Sequence, residues 1–329
     1  MRVLVTGGTG FLGRHIAAEL IGAGHRVTVL ARSSRAGEDG VPAGAAFAPA
    51  DVCDPASLSA PAARADAVCH AAGIPRCVRS NPCREAAMHE VNAEGTRNVC
   101  RAAALAGVRR VVVVSSIAVY GSDRRKLLVE GDECLPEDGY AVSKLRAEEL
   151  AAGASAEFGL AATVLRLGPL YGPGHAGNVR RLLEAIERRR FYPVGPGLNR
   201  KSLLHVGDAA RACRLAVEGQ AREQQQFSIY NVAGPPATLR EIVARAADEL
   251  GRRPYRGYFP ALPFRLLSDA GLCPRAVERW LADEAIDSSR FRQAFGWRPE
   301  VELGDGLREE ASRLRSGLAR IAWAPGVGR

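Results

Sequence analysis

A chain of 329 residues with 45 Lys and Arg against 36 Asp and Glu carries a net charge of +9, which favours an anionic small-molecule partner. Its arginines are scattered rather than gathered into a block with aromatics, so nucleic acid is not the expected partner, and no apolar stretch approaches the length of a membrane span. The length suits one large domain, or a domain with a smaller companion.

The opening stretch RVLVTGGTGFLGRHI reads as a strand at Val3–Val5 that turns straight into a helix, because Phe11, Leu12, Ile16 and Leu20 recur at helical spacing. Gly7, Gly10 and Gly13 lie between the two. Glycines there let the backbone turn tightly and approach a ligand, and a following helix N-terminus offers N–H groups to an anion. The stretch is therefore a candidate pyrophosphate seat. A second strand is expected at Val27–Leu30, a third ending at Asp51 and a fourth ending at Gly73. A helix carrying Val91, Val99, Ala102 and Leu105 should stop at Gly107. RRVVVVSS then gives a fifth strand, and residues 121–139 read as a loop. Residues 140–159 form the next long helix, and AATVLRLG a sixth strand closing at Gly168. Strands alternating with helices imply an α/β fold, a Rossmann doubly wound parallel sheet.

Beyond Gly168 the texture changes to glycine- and proline-rich connections around a helix near Leu182–Arg189. A short strand follows at Ser228–Val232. We therefore expect a dinucleotide-binding domain over 1–168, to which 203–233 returns. A smaller C-terminal α/β substrate-binding region would comprise 169–202 and 234–322, followed by a tail over 323–329. The segment YFPALPFRLL, residues 258–267, either packs under the domain or lines an apolar part of a pocket.

Tyr140 and Lys144 stand four residues apart, so they project from one face of the predicted helix. With Ser115 and Ser116 at the end of the fifth strand they form a candidate catalytic set. The lysine charge would lower the phenol pKa, the tyrosine would exchange a proton with a substrate oxygen, and a serine would fix that oxygen. The eight cysteines show no CxxC spacing, and the nearest pair is Cys77 and Cys83, so no metal site or disulfide framework is expected. The chain begins on a core strand with no leader pattern, which points to the cytoplasm.

TGGTGFLG, the DV at Asp51, HAAG, VNAEGTRNV, SSIAVYG, YAVSK and LRLGPLYGPG occur in an order that resembles the extended short-chain dehydrogenase/reductase family. The resemblance implies an enzyme using NAD or NADP, with Ser116 orienting substrate, Tyr140 as general acid/base and Lys144 on the nicotinamide ribose. It implies cofactor contacts from Gly7, Gly10, Phe11, Leu12, Gly13, Ala71 and Ala72, with Asp51 and Val52 flanking the adenine. Asn92 would stabilise the core, and a homodimer is expected. His70 should pack and hydrogen-bond within its strand-end loop. His205 should mark a strand-to-helix junction, with Asp208 as the helix cap.

The second half is similar to nucleotide-sugar 4-epimerases and 4-ketoreductases. That likeness places Asn178 in a sugar-nucleotide pocket and puts either Arg200 or Lys201, of which Lys201 is the choice, near the phosphates. Either cation is otherwise a solvated surface group. Ile117 and Ala118 follow Ser116 where dehydratases of the family carry an acidic pair, so carboxyl-assisted water elimination is not expected. The second strand ends in Leu30, Ala31 and Arg32 rather than an acidic residue, so Arg32, helped by Arg35, is expected to pair with a 2′-phosphate and select NADP over NAD. Three functions compete. They are nucleotide-sugar C4 epimerisation or 4-ketoreduction, reduction of an apolar ketone such as a steroid or polyketide fragment, and non-catalytic dinucleotide binding. The intact Ser116, Tyr140 and Lys144 set opposes the last.

Overall fold

Short valine-rich runs build a seven-stranded, wholly parallel sheet in the computed structural model, which describes residues 1–33, 40–76, 81–121, 126–219, 226–253, 257–260 and 280–317. Its order is β3 (Ala46–Pro49), β2 (Arg26–Ala31), β1 (Arg2–Thr6), β4 (Ala67–His70), β5 (Arg110–Ser116), β7 (Ala161–Leu167) and β11 (Phe227–Val232). On one face α1 (Phe11–Gly22) and α7 (Val206–Glu218) bury Ile16, Leu20, Cys213 and Val217 together with Phe291 and Trp297. On the other, α2 (Pro55–Ala62), α4 (Gly95–Leu105) and α5 (Gly139–Phe158) bury Leu58, Val99, Cys100, Ala151 and Ala154. Cover on both faces explains why the central strands read as continuous apolar runs. The chain leaves β1 toward β2 and β3 and later resumes on the other side with β4. The crevice where the order reverses therefore lies between β1 and β4, where Thr6 stands beside His70.

Smaller pieces complete the molecule. Strand β6 (Leu127–Leu128) pairs with β13 (Ala285–Ile286), β8 (Leu170–Tyr171) with β10 (Leu204–His205), and β9 (Arg200–Lys201) with β12 (Ala237–Thr238). A further core forms where α6 (Asn178–Glu187), α8 (Leu239–Glu249) and the helix Leu303–Arg315 bury Leu183, Ile186, Ile242 and Leu307.

Several local features differ from the sequence expectation. The third strand ends at Pro49 and the fourth at His70, each short of the expected end, although Ala50 and Ala71 still bond to Ala31 O and Thr6 O on the adjacent strand. The loop before Tyr140 contains β6, whose partner lies far along the chain. Helix α6 begins at Asn178 rather than near Leu182. Helix α3 (Pro82–Met88) runs into α4 through a π-helical stretch, His89–Glu94, which carries the fully buried Asn92. Asp208 is not the cap of α7. His205 Nδ1 accepts from the Gly207 N–H at 3.2 Å, while Asp208 accepts from the Glu300 and Val301 N–H groups at 2.8 and 3.2 Å.

The turn from β1 to α1 depends on two glycines for different reasons. Gly7 has φ +67°, and a Cβ there would sit 2.6 Å from the Ala72 Cα. Gly13 packs so closely on the turn that its Cβ would lie 2.1 Å from the Gly7 carbonyl oxygen. Backbone on both sides of that contact cannot yield as a flexible side chain would. Gly13→Ala should therefore cost about 1–3 kcal/mol of stability and open the turn. Thermal unfolding together with dinucleotide titration checks this, and the variant is expected to melt earlier and bind more weakly.

Candidate active site

The glycine turn places the N-terminus of α1 in the crevice. Gly10 occupies the N-cap position and makes no side-chain cap bond, so the Phe11, Leu12 and Gly13 N–H groups at the start of the helix lack a side-chain partner there. The Gly10 N–H closes the turn on Gly7 O at 2.9 Å. Ala71 and Ala72 run directly over Gly7, and the Ala72 N–H donates to Thr6 Oγ1 at 3.3 Å. At one side of the crevice Asp51 Oδ1 accepts from the Cys53 N–H at 2.9 Å, and the buried Val52 packs against Gly95. Arg32 is exposed at the end of β2, and its charge reaches the Cys53 thiol, so it faces the Asp51–Cys53 corner. Arg35 lies outside the described residues. A glycine-rich turn, a helix N-terminus and a guanidinium at the far corner fit an anionic dinucleotide.

Four buried residues, Thr6, His70, Asn92 and Thr96, hold this crevice. Thr96 Oγ1 donates to Asn92 O at 2.6 Å, so the His70 Nε2–H must be the donor in its 3.0 Å bond to Thr96 Oγ1. His70 Nδ1 then accepts from Thr6 Oγ1 at 2.7 Å. Burial, with the Lys144 charge adding to it, pushes this imidazole down to about 3, so it is a neutral link between β1, β4 and α4. Asn92 accepts from the Ile74 N–H at 2.7 Å and donates to Ile74 O at 3.2 Å and Ser143 Oγ at 2.9 Å. Its place in the π-helical stretch ties the loop after β4 to α5, one residue from Lys144.

Ser116, Tyr140 and Lys144 converge at the end of β5. Asp138 caps α5 by accepting from the Ala141 N–H at 2.9 Å, which starts the helix so that Tyr140 lies in its first turn. The half-buried Ser116 and Tyr140 side chains lie close enough for the serine hydroxyl to act on the phenol. Burial raises the phenol above its ordinary value, against the opposing effects of the Ser116 hydroxyl and the Arg76 charge. Lys144, one turn on, donates to Val114 O at 2.9 Å, and burial brings its ammonium down to about 8. In this arrangement the tyrosine is a protonated acid at neutral pH.

Beneath this set lies a buried ion pair that sequence reasoning missed. Glu148, four residues after Lys144, accepts from Ser115 Oγ at 2.5 Å and from the Arg166 guanidinium at 2.7–3.1 Å. Arg166 also donates to the Tyr120 hydroxyl at 2.8 Å, which in turn donates to Asn231 Oδ1 at 2.8 Å. Ser115 thus anchors Glu148 of α5, and Ser116 is the hydroxyl on the Tyr140 side. A charged residue near the end of an otherwise apolar strand, Arg166, and the four-residue step from Lys144 to Glu148 were the available signals.

The substrate-side residues do not join this cluster by any direct contact. Asn178 is exposed at the first turn of α6. Arg200 is paired with Asp283 at 2.7 Å, and Lys201, itself buried, with Glu284 at 3.1 Å. Lys201 lines a small cavity with Tyr171, His205 and Ile242, and none of Ser116, Tyr140 and Lys144 lines it. The turn before α6 instead reaches α1, where His175 stacks on Phe11 at 4.4 Å and Arg14 and His15 bond to Pro173 O. Tyr258 and Phe259 are exposed, whereas 261–267 fall outside the described residues.

The profile of the NAD dependent epimerase/dehydratase family matches residues 3–233. A 3-diazoavenalumate denitrifying reductase from a Streptomyces species is 33% identical over 94% of this chain and 100% of its own length. A Stigmatella aurantiaca ketoreductase, named for a 4-hydroxy-2-methyl-3-oxo-4-farnesyl-3,4-dihydroquinoline-1-oxide, is 29% identical over 99% of this chain and 95% of its own. The Thermus thermophilus UDP-glucose 4-epimerase, solved with NAD, superposes with a TM-score of 0.75 at 27% identity, covering 96% of this chain and 99% of that one. Among the described residues no helix is long and apolar enough to cross a membrane.

The Arg166–Glu148 pair makes a prediction about stability. Glu148 and Arg166 keep 3% and 4% of their surface exposed, so removing the carboxylate strands a buried guanidinium. Glu148→Ala is expected to lower stability by about 3–5 kcal/mol, read as a shifted denaturant midpoint. A change below about 1 kcal/mol, the scale of an exposed pair, would contradict the buried role.

Proposed function

Because this chain belongs to the NAD-dependent epimerase/dehydratase family, we propose that it reduces the ketone of an apolar or amphipathic small molecule to a secondary alcohol with NADPH, through Ser116, Tyr140 and Lys144. The carrying observation is the hydroxyl pair of Ser116 and Tyr140 with its buried, raised phenol. Ser116 holds the substrate oxygen. Tyr140, kept protonated by burial, gives that oxygen a proton as negative charge develops on it. Lys144 supplies positive charge one turn away and carries a ribose contact. When bound, the nicotinamide supplies the hydride.

Two features support a substrate without a nucleotide diphosphate. The cations nearest to such a role by resemblance, Arg200 and Lys201, are already matched by Asp283 and Glu284, so the site adds little net positive charge there. Ile117 and Ala118, which follow Ser116, are apolar and supply no charge beside it. The reductase names of the Streptomyces and Stigmatella relatives agree with this reading. A second reading, nucleotide-sugar C4 epimerisation or 4-ketoreduction with Asn178 and Lys201 as pocket residues, draws on the likeness to the Thermus epimerase. The reading includes a cytoplasmic homodimer. The choice of NADP(H) rests on Arg32 and on the absence of a carboxylate at the end of β2.

One assay tests the reading. NADPH and NADH are titrated, then oxidation is followed with bulky apolar ketones and with UDP- and dTDP-sugars and their 4-keto forms. Tighter NADPH binding and turnover of the apolar ketones are expected. Interconversion of UDP-sugars without consumption of added NADPH would establish the second reading instead.

A further inference from the structure

We propose that Arg76 is the docking point for a carboxylate on the substrate, so that the ketone presented to Ser116 and Tyr140 belongs to an acid. This rests on the ketoreductase reading and names its substrate class. The loop carrying Arg76 leaves the end of β4 and is fixed two residues earlier, where Asn92 bonds both the N–H and the carbonyl of Ile74. Arg76 Nε then donates to Asp138 Oδ2 at 2.6 Å. Asp138 in turn uses Oδ1 to cap α5, two residues before Tyr140. The guanidinium is thereby pinned at the mouth of the helix that carries the acid.

Among the described residues that Nε bond is the only one the guanidinium makes, which leaves its two terminal nitrogens as a fork of donors. The side chain keeps 28% of its surface exposed, against 16% for Asp138, so the guanidinium is open to solvent and to a ligand. Asp138 does not cancel the site, because its charge is shared between the guanidinium and the positive end of the 20-residue helix α5. The bond to Asp138, the N-cap of α5 two residues before Tyr140 in the chain, sets the guanidinium at the start of that helix, and its charge opposes the rise of the phenol pKa. A planar fork with two unused N–H edges matches a carboxylate in geometry and charge. Ile117 and Ala118, which follow Ser116 in the chain, add no carboxylate there.

Calorimetry on the NADP-loaded protein, with 3-hydroxydecanoate and its methyl ester as probes, tests this. The wild type is expected to bind the acid about tenfold or more tighter than the ester, the scale of a charge-assisted bond. Arg76→Gln should bring the acid-to-ester ratio to about one, and Arg76→Lys should keep part of it. A loop merely displaced by substitution would weaken both probes alike and leave the ratio where it was. A wild type that binds the acid no tighter than the ester, whether both bind or neither does, would overturn the inference, as would a ratio that survives in Arg76→Gln. The ketoreductase reading fails separately, if acid-selective binding persists while neither 3-oxodecanoate nor its ester is reduced.

Discussion

Everything at the reacting end of the molecule depends on how α5 is held against the C-terminal end of β5. Ser116 belongs to the strand, and Tyr140 and Lys144 to the helix, so the distance between the two elements sets whether the hydroxyls meet. Three bonds fix that distance. Lys144 Nζ reaches Val114 O, Ser115 Oγ reaches Glu148, and the Arg166 fork on β7 closes on the same carboxylate. Burying a guanidinium and a carboxylate is costly unless each is fully matched, and here the matching partners come from three different elements. A shift of α5 along the strand would leave charges unpaired, so the arrangement has few alternatives. An apolar contact of equal area would allow sliding.

The same logic of matched burial runs through the crevice. His70, which by residue type could be a proton carrier, is locked as a neutral donor and acceptor between Thr96 and Thr6. Asn92 uses its amide to fasten a loop rather than to touch substrate. Tyr140 is left as the protonatable hydroxyl at the surface of this network, its pKa raised by burial against the opposing Arg76 charge. The lysine charge expected to pull the phenol down instead acts on His70 and on the Val114 carbonyl.

Much of this was legible in the sequence because it is local. The glycine turn, the four-residue step from Tyr140 to Lys144 and the apolar runs of β5 and β7 each express a short-range rule of backbone freedom, helix pitch or burial. What was hidden depends on residues far apart in the chain. Arg200 and Lys201 read as available cations because Asp283 and Glu284 lie some eighty residues on, and only the folded chain brings them together. Asp208 resembled a helix cap by position, yet its carboxylate is used by the Glu300–Val301 backbone and His205 caps in its place. The π-helical stretch at Asn92 and the pinning of Arg76 by Asp138 have no periodic signature at all.

The central claim is that Tyr140 protonates a substrate oxygen while hydride arrives at the adjoining carbon. The most direct measurement is a single turnover with NADPH deuterated at the transferable position, followed in the wild type and in Tyr140→Phe. The account predicts deuterium at the carbinol carbon of the released alcohol, and a rate about 100-fold or more lower in the variant, the scale of a lost general acid. An unlabelled product, or a Tyr140→Phe variant that turns over at close to the wild-type rate, would contradict it.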